Sequence, residues 1–395
     1  HHVMGRTIKD LFCRYKTQRG FQVNRKAGWD THGLPVELGV EKELGITKED
    51  IGKTITIEEY NKACREAVMR YTDVWNDLTE KMGYWVDMSE PYVTYENNYI
   101  ESVWWLLGQL YEKNMLYKGY TIQPYSPAAG TGLSSHELNL PGTYQDVKDT
   151  SATALFKTVA DDELKTLSPA LFNIANEGNL FFMAWTTTPW TLPSNTALTV
   201  GAKIKYVVLD TFNPYTAERQ NVVLAEPLIA KHFKPEGSEA DMSFEPNGKL
   251  LPYRQIASFT GAELVGLHYE QLLPYTQPMK DADKAFRVIA GDFVTTEDGT
   301  GIVHTAPTFG ADDMQVAKAA GIPPMMVENE IGDPVPLVDL RGHFVMAVKD
   351  PVWGLAGEPV KAEYLTEAEK ETAFQEQKIR LKEHIPNLSK YLSAD

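Results

Sequence analysis

The chain has 395 residues, of which 23% are charged and 43% apolar, and its formal net charge is −16. This length is too great for one ordinary hydrophobic core, so we expect two or three domains, and the composition excludes a disordered or fibrous protein. The negative charge works against nonspecific nucleic-acid binding, since neutralising a phosphate backbone takes Lys and Arg, so any RNA contact must be local.

Helical periodicity dominates the first part of the chain. Apolar residues recur at spacings of three and four over residues 7–19, 56–82 and 98–113, which predicts three amphipathic helices. Thr56 and Glu59 form the capping pattern expected at the start of the second helix. We expect the Trp and Tyr side chains of the third helix to lie in a core.

Short apolar runs at residues 22–24 and 120–125 alternate with these helices, which favours an α/β layer with parallel strands. From about residue 149 the pattern changes to short β-rich runs separated by Gly, Pro, Asn and Asp, which is typical of a compact, barrel-like β domain. Residues 361–384 return to charged, helix-favouring sequence and predict a surface helix or connector. The predicted β runs cover residues 153–159, 180–187, 206–210, 221–225, 263–269, 286–290 and 301–305.

The chain has two cysteines, Cys13 and Cys64, too few for a disulfide framework and spaced unlike a zinc site. We therefore predict free thiols and no metal. No apolar stretch approaches the roughly 18 residues needed to span a bilayer, and the first residues lack the apolar core of a signal peptide. We expect a cytoplasmic protein with no membrane partner.

Residues 28–37 form the first segment that carries chemistry. Two glycines and a proline bracket an acid and an imidazole, so a tight turn presents Asp30 and His32 near a strand end, where α/β sheets place ligands. A carboxylate there can hold a substrate ammonium group. From the residues alone, a turn with a capping Asp is the alternative.

The second such segment is residues 185–196, where three successive hydroxyls precede two prolines. Neither proline can donate a ladder hydrogen bond, so the chain must leave its sheet. The hydroxyls of Thr186, Thr187 and Thr188 are then free to face a pocket. The alternative is the half-buried face of an ordinary strand, which Thr also favours.

The third segment is residues 299–313, where a short apolar strand delivers His304 near a loop of Gly and Pro. The paired acids Asp312 and Asp313 precede a helical pattern at residues 313–320 and are predicted to be its N-terminal caps. One acid can cap while the other points into a cleft. For an isolated histidine, a structural position in the core is the alternative.

The first segment resembles the Gly-Trp-Asp-Thr-His-Gly-Leu-Pro stretch of isoleucyl-tRNA synthetases, in which leucyl enzymes have Ala-Phe in place of Thr-His. The resemblance implies that Asp30 binds the amino group of the amino acid in the synthetic site, with Gly28 and His32 beside it. Residues 2–10 resemble the stretch that follows the His-Ile-Gly-His element of class I synthetases, with His2 at its last histidine. That element acts on ATP phosphates; a tag remnant is the alternative reading of the two N-terminal histidines.

The second and third segments are similar to the two conserved elements of the editing domain in isoleucyl, valyl and leucyl synthetases. The resemblance implies that the three threonines and Asn195 line the hydrolytic pocket and contact the terminal adenosine and the aminoacyl ester. It further implies that Asp313 holds the substrate ammonium group. His304 is then expected to shape the pocket around the side chain and ribose.

The resemblance also implies an architecture, a partial Rossmann-like nucleotide-binding fold interrupted by an inserted β-barrel editing domain. We assign residues 1–148 to the partial catalytic domain, 149–360 to the editing domain and 361–395 to a helical connector back toward the catalytic domain. The Lys-Met-Ser-Lys-Ser loop and the anticodon-binding helices are missing, so we expect that this piece does not form an aminoacyl adenylate. We also expect it to be a monomer. The piece is expected to need no cofactor, whereas the full enzyme uses ATP and Mg²⁺.

The implied function is post-transfer editing, the hydrolysis of Val-tRNA(Ile) at the tRNA 3′ end, in an enzyme that charges tRNA(Ile) with isoleucine. Valine and isoleucine are the expected small-molecule ligands. These segments show no Ser or Cys nucleophile with a His partner, which favours direct attack by water. A free-standing aminoacyl-tRNA deacylase and a non-catalytic β-barrel that binds amino acids are the alternatives. The segment at residues 28–37 counts against the first, and ester hydrolysis distinguishes the second.

Overall fold

The computed structural model describes residues 2–119, 121–127, 129–146, 150–350, 354–361, 367–368, 370–372 and 375. The chain divides into two compact units, one ending at Thr121 and the other beginning at Ile122. The domain divisions expected after residues 148 and 360 stay predictions, and most of the connector expected at 361–395 lies outside the described residues. Within the described part, no helix is long and apolar enough to cross a membrane.

The first unit is mostly helical. Its helices are α1 (His2–Gln18), α2 (Leu34–Leu44), α3 (Ile57–Met69), α4 (Thr72–Lys81) and α5 (Asn97–Glu112), with a 3₁₀ turn at Lys48–Asp50. Two strands, β1 (Lys26–Trp29) and β2 (Asp87–Val93), pair in parallel, whereas Tyr125, the one strand residue of the described run 121–125, lies in an antiparallel pair. The position predicted for the first strand, residues 22–24, is wrong because β1 begins at Lys26. A Rossmann-like sheet stays a prediction, since one strand pair does not establish it.

The single helix predicted over residues 56–82 is wrong, because the structure has two helices, α3 and α4, with a break between them. The predicted start is confirmed: Thr56 Oγ1 accepts from the Glu59 N–H at 3.2 Å, and the Glu59 carboxylate accepts from the Thr56 N–H at 3.0 Å. At the break, Arg70 donates two hydrogen bonds to the carboxylate of Glu43 in α2, at 2.8 and 3.0 Å. Contacts between separate helices are not visible in local periodicity.

The apolar face of α5 is exposed, so its predicted packing in a core is wrong. Trp104 and Trp105 have 70% and 65% of their surface exposed, and no residue of the helix is buried. The helix itself lies within one residue of the predicted bounds at each end. Amphipathic periodicity shows that a face needs cover, but it does not show that this part of the chain supplies that cover.

The second unit is built on an eight-stranded mixed sheet. A short pair, β3 (Tyr125–Ser126) and β4 (Thr131–Gly132), and the helical turn α6 (Ser135–Leu138) precede it. Its strands are β5 (Ala152–Lys157), β6 (Leu180–Thr186), β7 (Ala197–Val200), β8 (Lys205–Phe212), β9 (Arg219–Ala225), β10 (Arg254–Thr260), β11 (Arg287–Ala290) and β12 (Ile302–Thr305). Their order is β10-β8-β9-β6-β12-β7-β11. The eighth strand, β5, is not part of this order and pairs with β6.

Helices and turns connect these strands. They are α7 (Asp162–Leu167), α8 (Pro169–Glu177), α9 (Ile229–His232), α10 (Gly261–Leu264) and α11 (Ala311–Ala319), with 3₁₀ turns at Pro189–Ser194, Glu226–Leu228, Pro235–Ser238 and Ala282–Lys284. A last antiparallel pair, β13 (Val327–Glu328) and β14 (Pro334–Val335), follows α11. Strands β6 and β9, β6 and β12, and β7 and β11 pair in parallel, and the other pairs of the sheet are antiparallel.

Six of the seven predicted β runs contain a strand. In the run at residues 263–269 only His268 and Tyr269 are paired, through isolated bridges to Arg287 and Thr158. Thr260 and Glu263 form a capping box that starts α10 there. Gly266 then turns the chain with a φ of +96°. The sheet does not close into a complete barrel: no ladder joins β10 to β11 in the described residues, although isolated bridges of His268 and Tyr269 link β11 to Thr158, just after β5. The predicted β domain is therefore a curled, open mixed sheet, with α10 in contact with both β10 and β11.

The central strands of the sheet are buried on both faces. Along β8, Tyr206 and Val208 pack into one core while Val207 and Leu209 pack into another. This is the period-two alternation of a strand, and both sets are apolar because both faces are covered. A sheet held from two sides is a firm support for the loops at the ends of its strands.

Candidate functional site

The three threonines lie where strand β6 leaves the sheet. The strand ends at Thr186, and the 3₁₀ turn Pro189–Ser194 follows with Thr188 at its N-terminal cap position. Thr186 Oγ1 accepts a hydrogen bond from the Thr188 N–H at 3.1 Å, which closes the bend. The predicted departure of the chain from its sheet at this segment is confirmed.

Strand β12 brings His304 beside this bend. Val303 pairs with Trp185 of β6, and His304 pairs with Leu198 of β7. Gly301, just before the strand, has a φ of +75°, and a Cβ there would lie 2.4 Å from the Ala225 Cβ. Only glycine fits this backbone and this space. Strand pairing therefore places a residue of the third segment next to the second.

Asp313 reaches the same place from α11. The helix begins at Ala311 with Gly310 at the N-cap, so the prediction that Asp312 and Asp313 cap it is wrong, and both lie in its first turn. Asp313 Oδ2 instead accepts from the Ala306 N–H at 2.8 Å, which ties the loop after β12 to the helix. A Cβ on Gly310 would lie 2.7 Å from the Asp313 Cγ, so glycine leaves room for this carboxylate.

These groups line one cavity of about 430 Å³. Thr186, Thr187, Thr188, His304 and Asp313 are all among its lining residues. Asn195 does not line it and lies behind the histidine, where its Nδ2 donates to His304 Nδ1 at 2.8 Å. The cavity is also lined by Trp190, Thr191, Phe293, Thr295, Asp298, Thr300 and Phe309, which the sequence did not single out as site residues.

His304 is buried and neutral. Only 6% of its surface is exposed, and burial lowers its pKa to about 4. Its Nε2 lies 2.9 Å from Thr191 Oγ1, and its Nδ1 faces the amide of Asn195. Both ring nitrogens are thus engaged inside the protein, and the imidazole can shape the cavity without gaining charge at neutral pH.

Asp313 supplies a buried acid. Burial raises its pKa, the Ala306 N–H opposes that effect, and the neighbouring Asp312 adds to it. Oδ1 has no hydrogen-bond partner among the described residues. A cation beside this carboxylate would stabilise its charged form, so the position suits an ammonium group.

Residues that line the cavity are fixed by contacts with neighbouring residues. Lys231 Nζ lies 2.5 Å from Asp298 Oδ1 on one rim. On another side the ring of Trp190 packs edge-on against Phe309, with centroids 5.0 Å apart, and both pack against a core that includes Leu337. Trp190 Nε1 is buried without a hydrogen-bond partner in the described part of the chain. That N–H is available to an acceptor on a ligand.

Sequence reasoning missed two polar contributors. Tyr269 is buried, and its O–H donates to Asn195 Oδ1 at 2.6 Å. No local pattern marks it, because its partner lies 74 residues away. Thr191 contacts His304, and a fourth hydroxyl three residues after Thr188 was a visible signal.

The first segment lies in the first unit. Gly28 lies in β1 against the ring of Tyr92 in β2, and a Cβ at residue 28 would lie 2.0 Å from that ring and displace it. Asp30 and His32 are exposed, with His32 Nδ1 3.2 Å from Asp30 Oδ1. His32 lines a second cavity of about 250 Å³, whereas Gly28 and Asp30 do not. His2, on α1, packs edge-on against Trp75 with centroids 5.6 Å apart.

Comparison with known sequences gives a family. The sequence model described as tRNA synthetases class I (I, L, M and V) matches residues 1–386. An isoleucine–tRNA ligase of Cytophaga hutchinsonii is 58% identical over 396 residues, 100% of this chain and 33% of the relative. Isoleucine–tRNA ligases of Bacteroides fragilis and Porphyromonas gingivalis are 62% and 61% identical over 87% and 89% of this chain, and 29% and 30% of their own lengths. The chain thus spans about a third of the length of these curated relatives.

Solved structures give weaker likenesses. The P. knowlesi cytosolic leucyl-tRNA synthetase editing domain is 16% identical with a TM-score of 0.31, over 44% of this chain and 65% of that one. The P. falciparum cytosolic leucyl-tRNA synthetase editing domain is 14% identical with a TM-score of 0.32, over 47% of this chain and 76% of that one. At these scores the likeness carries no weight for fold or function. The sequence match, by contrast, runs through all three segments, and the chain belongs to the class I tRNA synthetases of the I, L, M and V group.

Proposed function

We propose that the second unit is an editing hydrolase that cleaves the ester bond of Val-tRNA(Ile), as part of an isoleucine–tRNA ligase. The observation that carries this proposal is the single cavity in which the three threonines, a neutral His304 and a buried Asp313 meet. Its volume, about 430 Å³, falls in the usual range for small-molecule sites. The high identity to isoleucine–tRNA ligases supports the choice of isoleucine and tRNA(Ile).

Asp313 anchors the substrate in this proposal. The α-ammonium group of the aminoacyl ester pairs with the carboxylate, whose Oδ1 has no other partner in the described residues. Thr186, Thr187 and Thr188, called the threonine wall below, line the same cavity, where they hold the ester and limit the width available to the amino-acid side chain. The anchored ammonium group and this wall together orient the carbonyl for attack.

Water is the nucleophile. Its oxygen forms a bond to the ester carbonyl carbon, the bond to the ribose oxygen breaks, and the proton released by water ends on that ribose oxygen. The products are valine and tRNA with a free 3′ end. His304 does not serve as the base, because its two ring nitrogens are engaged and its pKa is lowered to about 4.

A separate hydrolytic site is needed because valine is one methylene smaller than isoleucine. A pocket that accepts the larger side chain discriminates against the smaller by only about 1–3 kcal/mol, a limit for which isoleucyl-tRNA synthetases are the standard example. A second, narrower pocket that admits valine and blocks isoleucine removes the error after charging. The threonine wall is the candidate for that restriction.

The test is deacylation of Val-tRNA(Ile) by the chain and by the variants Asp313→Ala and Asp312→Ala. Both acids lie in the first turn of α11, but only Asp313 lines the cavity, so Asp312→Ala is a matched control. We expect Asp313→Ala to lose about a hundredfold in kcat/KM and the control to keep the parent rate. Equal rates for Asp313→Ala and the parent would refute the assignment. No hydrolysis by the parent would favour a binding-only domain instead.

Charging of tRNA(Ile) with isoleucine, with ATP as a substrate, belongs to the proposed whole enzyme, as do a monomeric state and a cytoplasmic location. This chain's part in that site is Asp30, with Gly28 and His32 beside it, and His2 near the ATP phosphates. Mg²⁺ belongs with ATP to that proposed whole enzyme, and no group of three His, Cys, Asp or Glu side chains lies together in the described residues. No step is therefore assigned to it here.

A further inference from the structure

A chain of four hydrogen bonds runs behind the threonine wall. Tyr269 O–H donates to Asn195 Oδ1 at 2.6 Å, and Asn195 Nδ2 faces His304 Nδ1 at 2.8 Å. His304 Nε2 then faces Thr191 Oγ1 at 2.9 Å, and the Thr191 hydroxyl donates to the Thr188 carbonyl at 2.8 Å. All four side chains that form the chain are at most 6% exposed, so water does not compete for these groups.

The two ends of the chain fix where every proton lies. The Thr188 carbonyl can only accept, so the Thr191 proton points to it and Thr191 Oγ1 accepts from His304 Nε2–H. At the other end, the Ala197 carbonyl lies 2.8 Å from Asn195 and also can only accept, so the amide NH₂ faces it. The same NH₂ faces His304 Nδ1, which must therefore be bare. The Asn195 end therefore requires the neutral Nε2–H form, and the bond from the Thr191 hydroxyl to the Thr188 carbonyl agrees with it.

The hydrogen bond between His304 and the Thr191 hydroxyl runs in the opposite direction to the corresponding bond in a hydrolytic triad. A hydroxyl, a histidine and a carboxamide in line resemble a nucleophile, its base and the residue that orients the base. In a triad the histidine carries its proton on the nitrogen away from the hydroxyl, and the other nitrogen accepts the hydroxyl proton. Here His304 presents an N–H to Thr191, so it cannot take the proton of that hydroxyl.

We infer that Asn195 and Thr191 are positioning residues of the editing site: they hold His304 in its Nε2–H form, which clamps Thr191 onto the Thr188 carbonyl and so keeps the threonine wall in place. Tyr269 orients the amide of Asn195. If His304 carried its proton on Nδ1, its bare Nε2 would draw the Thr191 proton away from Thr188. The 3₁₀ turn would then lose the side-chain bond from Thr191 to the Thr188 carbonyl and keep only the backbone bond from the Thr191 N–H, at 3.0 Å.

The first test reads the proton directly and needs no tRNA. Long-range ¹H–¹⁵N spectra of the ¹⁵N-histidine-labelled chain at neutral pH distinguish the two tautomers and the imidazolium, and the His304 signals are those absent from His304→Gln. We expect the Nε2–H form in the parent. Asn195→Asp replaces the donating NH₂ by oxygen, so it should move the proton to Nδ1. A parent signal from the Nδ1–H form or the imidazolium, or an unchanged signal in Asn195→Asp, overturns the inference.

The second test is kinetic and rests on the proposed function. Thr191→Val keeps the side-chain shape but removes the hydroxyl, and we expect kcat for Val-tRNA(Ile) hydrolysis to fall about tenfold with little change in KM, because the wall is misplaced. Thr191→Ser should restore the rate. Thr211→Val is the control, since Thr211 is equally buried and donates to a backbone carbonyl, Pro252 O, away from the cavity.

Acid quenching during turnover separates positioning from covalent catalysis. A valyl ester on Thr191, detected by mass spectrometry, would show that this hydroxyl is a nucleophile and would overturn the inference. A full rate for Thr191→Val would do the same. If the parent hydrolyses nothing, the proposed function fails, and the tautomer measured in the absence of tRNA still decides the inference.

Discussion

His304 makes the second unit sensitive to acid. Burial lowers its pKa to about 4, whereas a histidine in the unfolded chain takes up its proton near pH 6.5. Above about pH 6.5 the imidazole is neutral in both states and contributes nothing to the pH dependence. As the pH falls from there toward 4, only the unfolded chain binds the proton, so the free energy of unfolding decreases. A difference of roughly 2.5 pKa units corresponds to a loss of about 3 kcal/mol at pH 4.

Urea unfolding of the parent, His304→Gln and His136→Gln at steps from about pH 7 to about pH 4 measures this loss. His136 is exposed on α6, so its replacement is the control for removing a histidine charge. We expect the parent and His136→Gln to lose about 3 kcal/mol more than His304→Gln over this range. The raised pKa of Asp313 acts in the opposite direction and, since Asp313 is present in all three proteins, largely cancels in the comparison. If the parent and His304→Gln show the same pH dependence, the buried neutral histidine is refuted.

Three further substitutions test the packing of the site. Gly301→Ala should destabilise the second unit by about 2–4 kcal/mol, since it places a Cβ at a φ of +75° and 2.4 Å from the Ala225 Cβ; thermal and urea unfolding measure this. Tyr269→Phe should cost about 1–3 kcal/mol in the free energy of unfolding, because it leaves Asn195 Oδ1 buried without its donor; an unfolding free energy equal to the parent's would contradict the bond. Thr187→Phe should slow Val-tRNA(Ile) hydrolysis by about tenfold or more without a change in stability, because the larger side chain fills the cavity; an unchanged rate would show that Thr187 is not part of the restricting wall.

Local signals in the sequence predict local structure well in this chain. The capping pair Thr56 and Glu59, six of seven β runs and the bounds of α5 are confirmed because each depends on residues a few positions apart. The bend after β6 is confirmed for the same reason, since prolines at fixed positions end a strand whatever surrounds it.

Features that depend on distant contacts were not predictable. The break between α3 and α4 lies at Arg70, which pairs with a residue 27 positions away. Most of the strand expected at residues 263–269 is replaced by the short capped helix α10, which contacts both β10 and β11. The open sheet edges and the exposed face of α5 depend on which strands and faces meet, and periodicity does not contain that information.

In the candidate site, too, the local motifs were predictable from the sequence, and the contacts between distant residues were not. The three segments were visible as motifs, and the resemblance implied roles for Thr186, His304 and Asp313 before any geometry was known. Strand pairing then explains why they share one cavity. Tyr269 was not visible, because a buried phenol in an apolar run has no sequence signature until its partner is placed next to it.

The central claim is tested most directly by incubating the chain with Val-tRNA(Ile) and with Ile-tRNA(Ile) and measuring the rate of each deacylation. The account predicts that the valyl ester is hydrolysed much faster, by about a hundredfold or more, because the proposed restriction by residues 186–188 admits valine and blocks isoleucine. Equal rates for the two esters, or faster loss of isoleucine, would contradict it.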